Sequence, residues 1–164
     1  MMADNFKTIF TGALQQVGNQ LVNAMRANLN RVVGRSSGNL SKSIQSVVRE
    51  TPKGPEVVIT MLPYGPILDS GRGKSTKGGP EQTWRNKIEG WMSYKGITPK
   101  QGMTTEQVAF LITRKINRKG YSPKPFIQPA FNQVINKDLP GIFNEALDQA
   151  AKNTLVNDVK ITLK

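Results

Sequence analysis

Gly73, Lys74 and Ser75 are the residues of this sequence whose types and spacing point most directly to chemistry, because they match the end of a phosphate-binding nucleotide loop. The complete motif requires a glycine five positions before Gly73, and this chain has Leu68 there. A helix should also begin at the lysine, whereas the glycines and proline of 77–80 oppose one. We therefore interpret the segment as a flexible basic loop. Nucleotide binding through Lys74 is an alternative that nucleotide-dependent thermal stabilisation would reveal.

Few other residues of the chain could support acid–base catalysis or bind a metal ion. The chain has no cysteine and no histidine, which excludes disulfides, thiolate or histidine ligands for zinc, cysteine nucleophiles and histidine general bases. No two of the central carboxylates have a spacing that forces them together within one element: Asp69, Glu81, Glu89 and Glu106. We expect no catalytic site, no metal site and no cofactor, and hence a protein that is not an enzyme.

Positive charge is concentrated in the middle of the chain. Of the net charge of +12, residues 72–124 contribute 12 basic and 3 acidic side chains, against 7 and 4 in 1–71 and 4 and 4 in 125–164. Such a concentration is typical of a surface that faces a polyanion, although a solvated surface that maintains solubility fits equally well. The candidate contacts to DNA or to an acidic partner are Arg72, Lys74, Lys77, Arg114, Lys115, Arg118 and Lys119. No base-reading motif accompanies them, so contact with DNA would be independent of its sequence.

An amphipathic helix opens the chain. Apolar residues recur at spacings of three and four from Phe6 to Val32, which predicts a helix over residues 4–34 that ends at Gly34. At 1.5 Å per residue such a helix is about 45 Å long, which is long for a domain of this size. We therefore expect part of it to pack on a neighbouring subunit.

β-branched residues dominate the next region. They are frequent in residues 44–49 and 57–62, and the segment 51–55 between them contains two prolines and a glycine, as turns do. This pattern predicts a β-hairpin. Residues 64–70 would then form one more short strand or an extended segment ahead of the glycines of the basic loop.

Two short helices are predicted in the centre of the chain. Trp84 and Trp91 lie on one face of the first helix, which favours packing in a core or a subunit interface over stacking on exposed bases. Thr104 or Thr105 can cap the second helix, and Gly120 ends it. Cations fill the last turn of this second helix, where they suit the helix dipole.

A long helix and a final strand complete the predicted elements. The proline-rich segment 121–129 forms a stiff connector, and an apolar helical stripe then continues to about Lys152, with a kink near Pro140. Apolar and polar residues alternate over 159–163, which predicts a strand.

These elements together predict an α+β fold in a single domain that spans residues 1–164. It comprises a long N-terminal helix, a small antiparallel sheet based on a β-hairpin, two short central helices, a long C-terminal helix and a final strand. No segment has the apolar length of a membrane helix, and the N-terminus lacks a secretory pattern. We expect folding and assembly in a cytoplasm and no membrane partner.

Three short motifs occur at set places along this order of elements. They are Ser37-Gly38-Asn39-Leu40-Ser41-Lys42-Ser43-Ile44, then Tyr64 followed by Leu68-Asp69-Ser70-Gly71-Arg72-Gly73, then Lys124-Pro125-Phe126-Ile127-Gln128-Pro129-Ala130-Phe131. With a long helix before them and a hairpin between them, they resemble the neck or tail-completion family of tailed bacteriophages, whose members are also described as head-tail connectors or minor tail components. Threonine is commoner at the position of Ser37, and residues 81–119 form a helical insertion larger than the minimal pattern of the family.

The resemblance implies a viral structural protein of the virion neck, assembled in the host cytoplasm and without enzymatic activity. Its partners would be further copies of itself in a closed ring, the portal or head-closure proteins and the tail proteins. The genomic DNA would pass through the ring without sequence-specific contact. The residues expected at subunit interfaces are Phe6, Phe10, Trp84, Trp91, Phe126 and Pro129. The alternative is a free-standing, sequence-nonspecific DNA-binding protein with an architectural or packaging role.

Overall fold

The fold is α+β, as predicted, in a computed structural model that describes residues 2–34, 36–74, 82–100 and 102–162. For residues 2–5, 82–85 and 154–162 it describes the backbone alone. The elements in chain order are α1 (Met2–Val33), α2 (Asn39–Ser43), β1 (Gln45–Thr51), β2 (Gly54–Thr60), α3 (Tyr64–Ser70), α4 (Gln82–Lys95), α5 (Thr105–Lys119), α6 (Ile127–Gln133), a π-helical turn (Val134–Asp138) and α7 (Leu139–Thr162).

Helix α1 is the centre of the core. Its apolar stripe is buried against α6, the π-helical turn and α7 on one side and against the β-hairpin on another. The predicted apolar face and end of this helix are confirmed, since it ends at Val33 and Gly34 follows with a φ of 66°; its backbone begins at Met2, two residues before the predicted start. The buried core residues are Ala13, Val17, Leu21, Val22, Ala24, Met25, Leu29, Leu40, Ile44, Phe126, Ala130, Val134 and Ile142.

The predicted β-hairpin is confirmed. Strands β1 and β2 pair antiparallel, with Gln45 opposite Thr60 and Thr51 opposite Gly54. The Thr51 hydroxyl fixes the turn, because it donates a hydrogen bond to the Gly54 carbonyl (2.6 Å) and accepts one from the Lys53 amide (3.3 Å). The hairpin lies close to α1 at Gly18, where a side chain would come within 3.0 Å of Ser46.

A π-helical turn interrupts the long C-terminal helix just before Pro140, where the sequence predicts a kink. Proline has no amide hydrogen and its ring clashes with the carbonyl four residues earlier, so the regular helical pattern cannot pass through it unchanged. The structure accommodates this with a wider turn, in which the Leu139 amide donates to the carbonyl of Val134, five residues earlier.

Two predicted strands are wrong. Residues 64–70 form α3 rather than an extended segment, because Pro66 falls in the first turn of the helix, where a missing amide hydrogen costs nothing. The predicted final strand at Val159, Ile161 and Leu163 is also wrong, since α7 continues to Thr162, and Leu163 lies outside the described residues. Extending an existing helix adds a hydrogen bond per residue, whereas a lone strand needs a partner strand.

Helices α4 and α5 form a helical hairpin within the predicted insertion 81–119, and they pack mainly on each other. Thr104 caps α5 as predicted. Its hydroxyl accepts a hydrogen bond from the Gln107 amide (3.2 Å), and the Gln107 side chain accepts one from the Thr104 amide (2.9 Å). Gly120 ends α5 with a φ of 73°. Both central helices are therefore confirmed.

Candidate functional site

The fold brings two of the predicted basic segments together at one place. Arg72, at the start of the basic loop, pairs with Tyr121, which follows the C-terminal end of α5. The Arg72 amide donates to the Tyr121 carbonyl (3.1 Å), and the Tyr121 amide donates to the Arg72 carbonyl (2.9 Å). This two-residue bridge places Arg72 and Lys74 beside Arg118 and Lys119, although more than forty residues separate them in the sequence.

Two glycines permit this close approach of backbones. Gly71 and Gly120 have φ values of 76° and 73°, a region that residues with a side chain rarely adopt. A Cβ atom on Gly71 would lie 2.8 Å from the Pro123 nitrogen, and one on Gly120 would overlap the Arg72 carbonyl oxygen. Gly71 belongs to a motif of the sequence analysis, and Gly120 was predicted only as a helix end.

The resulting basic cluster is accessible to a large anion. We use the name basic cluster for the half-buried Arg72 and the exposed Lys74 on one side of this bridge, together with the exposed cations at the C-terminal end of α5 on the other: Arg114, Lys115, Arg118 and Lys119. Within the described part of the chain, none of these six side chains forms a salt bridge. Lys77, the seventh predicted contact, lies outside the described residues. Such cations can bind phosphate or carboxylate oxygens but do not distinguish bases.

The nucleotide-loop alternative depends on the backbone at and after Lys74. Lys74 lies in an irregular segment, and the next described helix begins only at Gln82. A phosphate-binding loop places its lysine at the start of a helix, whose free amides hold the phosphate. Residues 75–81, where such a helix would continue, lie outside the described residues, so nucleotide binding through Lys74 remains an alternative that thermal stabilisation by nucleotide tests.

The second and third sequence motifs form a single structural junction. One carboxylate oxygen of Asp69 accepts hydrogen bonds from the amides of Phe126 (2.7 Å) and Ile127 (2.8 Å), which begin α6. The Leu68 carbonyl accepts a further bond from the Lys124 amide (3.0 Å). A carboxylate satisfies the free amides at a helix start and interacts favourably with the helix dipole. Asp69 therefore positions the C-terminal helix.

Arg26 holds the first motif in place. Its guanidinium donates to the carbonyls of Ser41 (3.0 Å) and Ile44 (2.7 Å) from within α1. The Ser43 hydroxyl then links the motif to the end of the hairpin, because it accepts a hydrogen bond from the Leu62 amide (3.1 Å). The sequence analysis missed Arg26, since a lone cation on a long helix looks like an ordinary surface residue.

Tyr64, which opens the second motif, contributes no charge to the site. The phenol lies in α3, and partial burial raises the pKa of Tyr64 above its ordinary value because desolvation disfavours the charged form. The side chain therefore stays neutral at neutral pH.

Of the residues predicted at subunit interfaces, some are buried in the core of the chain and others are exposed at its surface. Phe126 is fully buried in the core of the chain, so the prediction of a subunit contact for it is wrong. Phe10 is partly buried and packs edge to face on Phe143, with ring centroids 5.4 Å apart. Pro129 is exposed, as are Phe6 (51%) and Trp91 (41%). The Trp84 side chain lies outside the described part of the structure.

An open apolar groove of about 560 Å³ lies where the helical hairpin meets the end of α1. Trp91 contributes to its wall. The Lys95 ammonium, at the rim, donates a hydrogen bond to the Val33 carbonyl at the end of α1. The residues that line the groove are Val32, Val33, Leu68, Ile88, Trp91, Lys95, Ile116, Tyr121, Ser122 and Lys124.

Metal-binding clusters and membrane-spanning helices are both missing from the described residues. These residues contain no group of three or more acidic side chains placed to hold a metal ion. None of the helices that they form has the length and apolar character needed to cross a membrane.

Comparisons with known proteins do not assign this chain to a family, so its function is argued from the residues and geometry described above. No protein-family model matches the chain, and neither the curated proteins nor the solved structures contain a significant match to it.

Proposed function

We propose that this chain is a non-enzymatic structural subunit of a tailed-phage neck. Copies of it form a ring that joins the portal or head-closure proteins to the tail and surrounds the channel through which the DNA leaves the head. The assembly takes place in the host cytoplasm, and the product is part of the virion.

The observation that best supports this proposal is the junction at Asp69. Two of the motifs that resemble the neck family are far apart in the sequence, yet the carboxylate of one accepts both amides that open the helix of the other. Motifs of a common fold are expected to meet in this way, because what they preserve is packing geometry. A chance occurrence of the three motifs would not require them to touch.

The basic cluster fits a ring that surrounds DNA. Rotation about a ring axis repeats Arg72, Lys74, Arg118 and Lys119 in every subunit, so a modest charge per chain becomes a positive collar. Contacts to phosphates alone let DNA move past without sequence preference. The same collar can instead meet an acidic surface of a portal or tail protein.

Native mass spectrometry across a concentration series tests the proposal. The protein is measured alone, with duplex DNA, and with purified portal and tail components of a tailed phage. We expect a closed oligomer of defined stoichiometry, formed alone or with the phage components. A chain that stays monomeric in every mixture contradicts the neck assignment.

The second candidate is a free-standing DNA-binding protein, which the five exposed cations of the basic cluster favour. It predicts tight binding of duplex DNA by the isolated chain, with affinity that falls steeply between about 50 and 200 mM salt. The neck proposal predicts weak binding by the isolated chain.

A pair of charge-matched variants identifies the surface responsible for any binding. Arg118→Gln with Lys119→Gln removes two cations from the basic cluster, and Arg49→Gln with Lys53→Gln removes two exposed cations from the β-hairpin. Only the first pair should weaken DNA binding and reduce its salt dependence. Equal losses in both pairs indicate attraction by net charge alone.

A further inference from the structure

A polar pocket of about 470 Å³ lies where the middle of α1 meets the start of β1. We name it the Arg26 pocket. The polar residues that line it are Asn19, Asn23, Arg26, Gln45 and Ser46. Arg26 is the one charged residue among the described residues of this lining, so the pocket holds a single cation among neutral polar groups.

No carboxylate neutralises the positive charge of Arg26. Its side chain is half-buried, and no acidic residue in the described part of the chain forms a salt bridge with it. The sequence between Asp4 and Glu50 contains no acidic residue at all, and Glu50 pairs with Lys7 instead. A half-buried cation without a counter-ion attracts an anion into the space beside it, because water screens its charge less there than at an open surface.

The guanidinium of Arg26 is held in place and still has donors to offer. Of its five N–H groups, Nε donates to the Ser41 carbonyl (3.0 Å) and one Nη donates to the Ile44 carbonyl (2.7 Å). The three remaining N–H groups belong to the two Nη nitrogens at the end of the planar fork. That end can bind both oxygens of a carboxylate side by side.

Neutral donors line the same pocket. Within the described residues, the side chains of Asn23, Gln45 and Ser46 form no hydrogen bond. The Asn19 side-chain oxygen accepts a bond from the Gln15 amide (3.2 Å), which leaves the amide hydrogens of Asn19 available. Amide and hydroxyl groups can each donate to an anion, so they can complete the coordination that the guanidinium begins.

The charge of the pocket favours a carboxylate over a phosphate group. A carboxylate carries one negative charge, which one guanidinium matches, and its two oxygens fit the planar fork. A phosphate monoester carries a charge of about −1.5 to −2 at neutral pH, so several cations together match it better, as in the basic cluster.

We infer that the Arg26 pocket binds a carboxylate. The end of the Arg26 fork holds its two oxygens, and the side chains of Asn23, Gln45 and Ser46 supply further hydrogen bonds. The carboxylate belongs to a small molecule or to an acidic side chain of a partner protein, and the chemistry of recognition is the same for both. This binding does not depend on the neck assignment, because the isolated chain contains the whole pocket.

An NMR titration of the ¹⁵N-labelled chain tests the site. The probes are acetate, phosphate and the blocked peptide acetyl-Gly-Glu-Gly-amide, each at neutral pH and constant ionic strength. We expect acetate and the peptide to shift the backbone signals of Arg26, Gln45 and Ser46, and phosphate to bind more weakly than acetate. The same peptide with glutamine in place of glutamate should not bind, because a neutral amide lacks the charge and the second acceptor oxygen.

Two matched variants locate the binding and leave Arg26 intact. Asn23→Asp places a carboxylate three residues before Arg26 on the same helix, where the two side chains are neighbours, so it should fill the pocket from within. We expect its affinity for acetate to fall by about tenfold or more, with no loss in melting temperature. Gln16→Glu makes the same change from amide to acid at an exposed position of α1, ten residues before Arg26. Its affinity for acetate should stay within about twofold of wild type, because water and salt screen a charge at that distance.

Each outcome of the titration decides one question. Tighter binding of the glutamate peptide than of acetate assigns the carboxylate to a partner protein, and equal binding assigns it to a small molecule; both results support the site. Tighter binding of phosphate than of acetate overturns it. So do equal losses of affinity in the two variants, which indicate attraction by net charge alone, and a titration without shifts at the pocket.

Discussion

The body of the molecule and its helical hairpin differ in what they do with apolar residues. In the body, which comprises α1, the β-hairpin, α6 and α7, apolar side chains form one contiguous core. In the α4–α5 hairpin, Met92 and Ala109 are the buried apolar residues among those described. Large apolar side chains of the hairpin and its connecting loop are instead exposed: Trp91, Tyr94, Ile97, Met103, Phe110 and Leu111.

This difference separates a region that packs on itself from a region that leaves large apolar side chains exposed. The body contains the core and sets the positions of the three motifs. The helical hairpin exposes apolar and basic side chains. Contiguous exposed apolar residues mark interaction sites, so this surface is a candidate for contacts with partners. We expect stability to depend on the body, and contacts with partners to depend on the exposed surface of the helical hairpin.

Phe126 and Phe110 give the largest expected contrast between the two regions. Phe126→Ala removes a ring that is 0% exposed, and we expect a loss of about 3–5 kcal/mol in the free energy of unfolding. Phe110→Ala removes a ring that is 39% exposed, and the loss should stay below about 1 kcal/mol. Urea unfolding followed by circular dichroism measures both. Equal losses would mean that the hairpin is as firmly packed as the body.

The junction between the regions should give the next largest effect. Asp69→Ala removes the acceptor for the amides of Phe126 and Ile127 and leaves them without a partner, at a cost of about 1.5–3 kcal/mol. Asp69→Asn keeps a side-chain oxygen at the same place and should cost about half as much. Thermal and urea unfolding measure the loss in the free energy of unfolding for each of the two variants. An Asp69→Ala chain as stable as wild type would contradict the structural role of this carboxylate.

A smaller and more local effect is expected at the start of α5. Thr104→Ala removes the capping box and should destabilise the helix by about 1 kcal/mol. If the hairpin opens separately from the body, hydrogen exchange will accelerate in α5 while α1 amides stay protected. Uniform acceleration across both helices would show that the two regions unfold together.

Glycine substitutions give the smallest expected effects and compare the packing of the two regions directly. A side chain at Gly90 in α4 meets nothing within 4 Å, so Gly90→Ala should stabilise the protein by about 0.5–1 kcal/mol. A Cβ atom at Gly18 in α1 would lie 3.0 Å from the Ser46 side chain, so Gly18→Ala should show no gain. Gly12→Ala, in the same helix but in open space, is the control. A gain at Gly18 equal to that at Gly12 would contradict the close packing of α1 on the hairpin strands.

Periodicity was sufficient to predict the elements that bury a continuous face. The apolar stripe of α1, the β-hairpin and the Thr104 cap each depend on residues that are close together in the sequence. The sequence therefore specifies them directly. The strand predictions for residues 64–70 and 159–162 are wrong because short apolar segments fit either period. Other features decide their conformation. Pro66 suits the first helical turn of 64–70, and the C-terminal helix is already formed ahead of 159–162.

The site was predictable in its residues but not in its arrangement. Charge concentration identified Arg72, Lys74, Arg118 and Lys119, whereas their proximity depends on a backbone bridge at Tyr121. Nothing local to either segment specifies that pairing. Arg26 and Asp69 were similarly hidden, because their roles depend on backbone groups that lie fifteen or more residues away in the sequence.

Electron microscopy of the assembled protein tests the central claim most directly. The oligomer recovered at its native mass, alone or with portal components, is imaged and classified in two dimensions. The neck proposal predicts closed rings with a central opening wide enough for duplex DNA. Open filaments, compact particles without a channel, or monomers under every condition would contradict it.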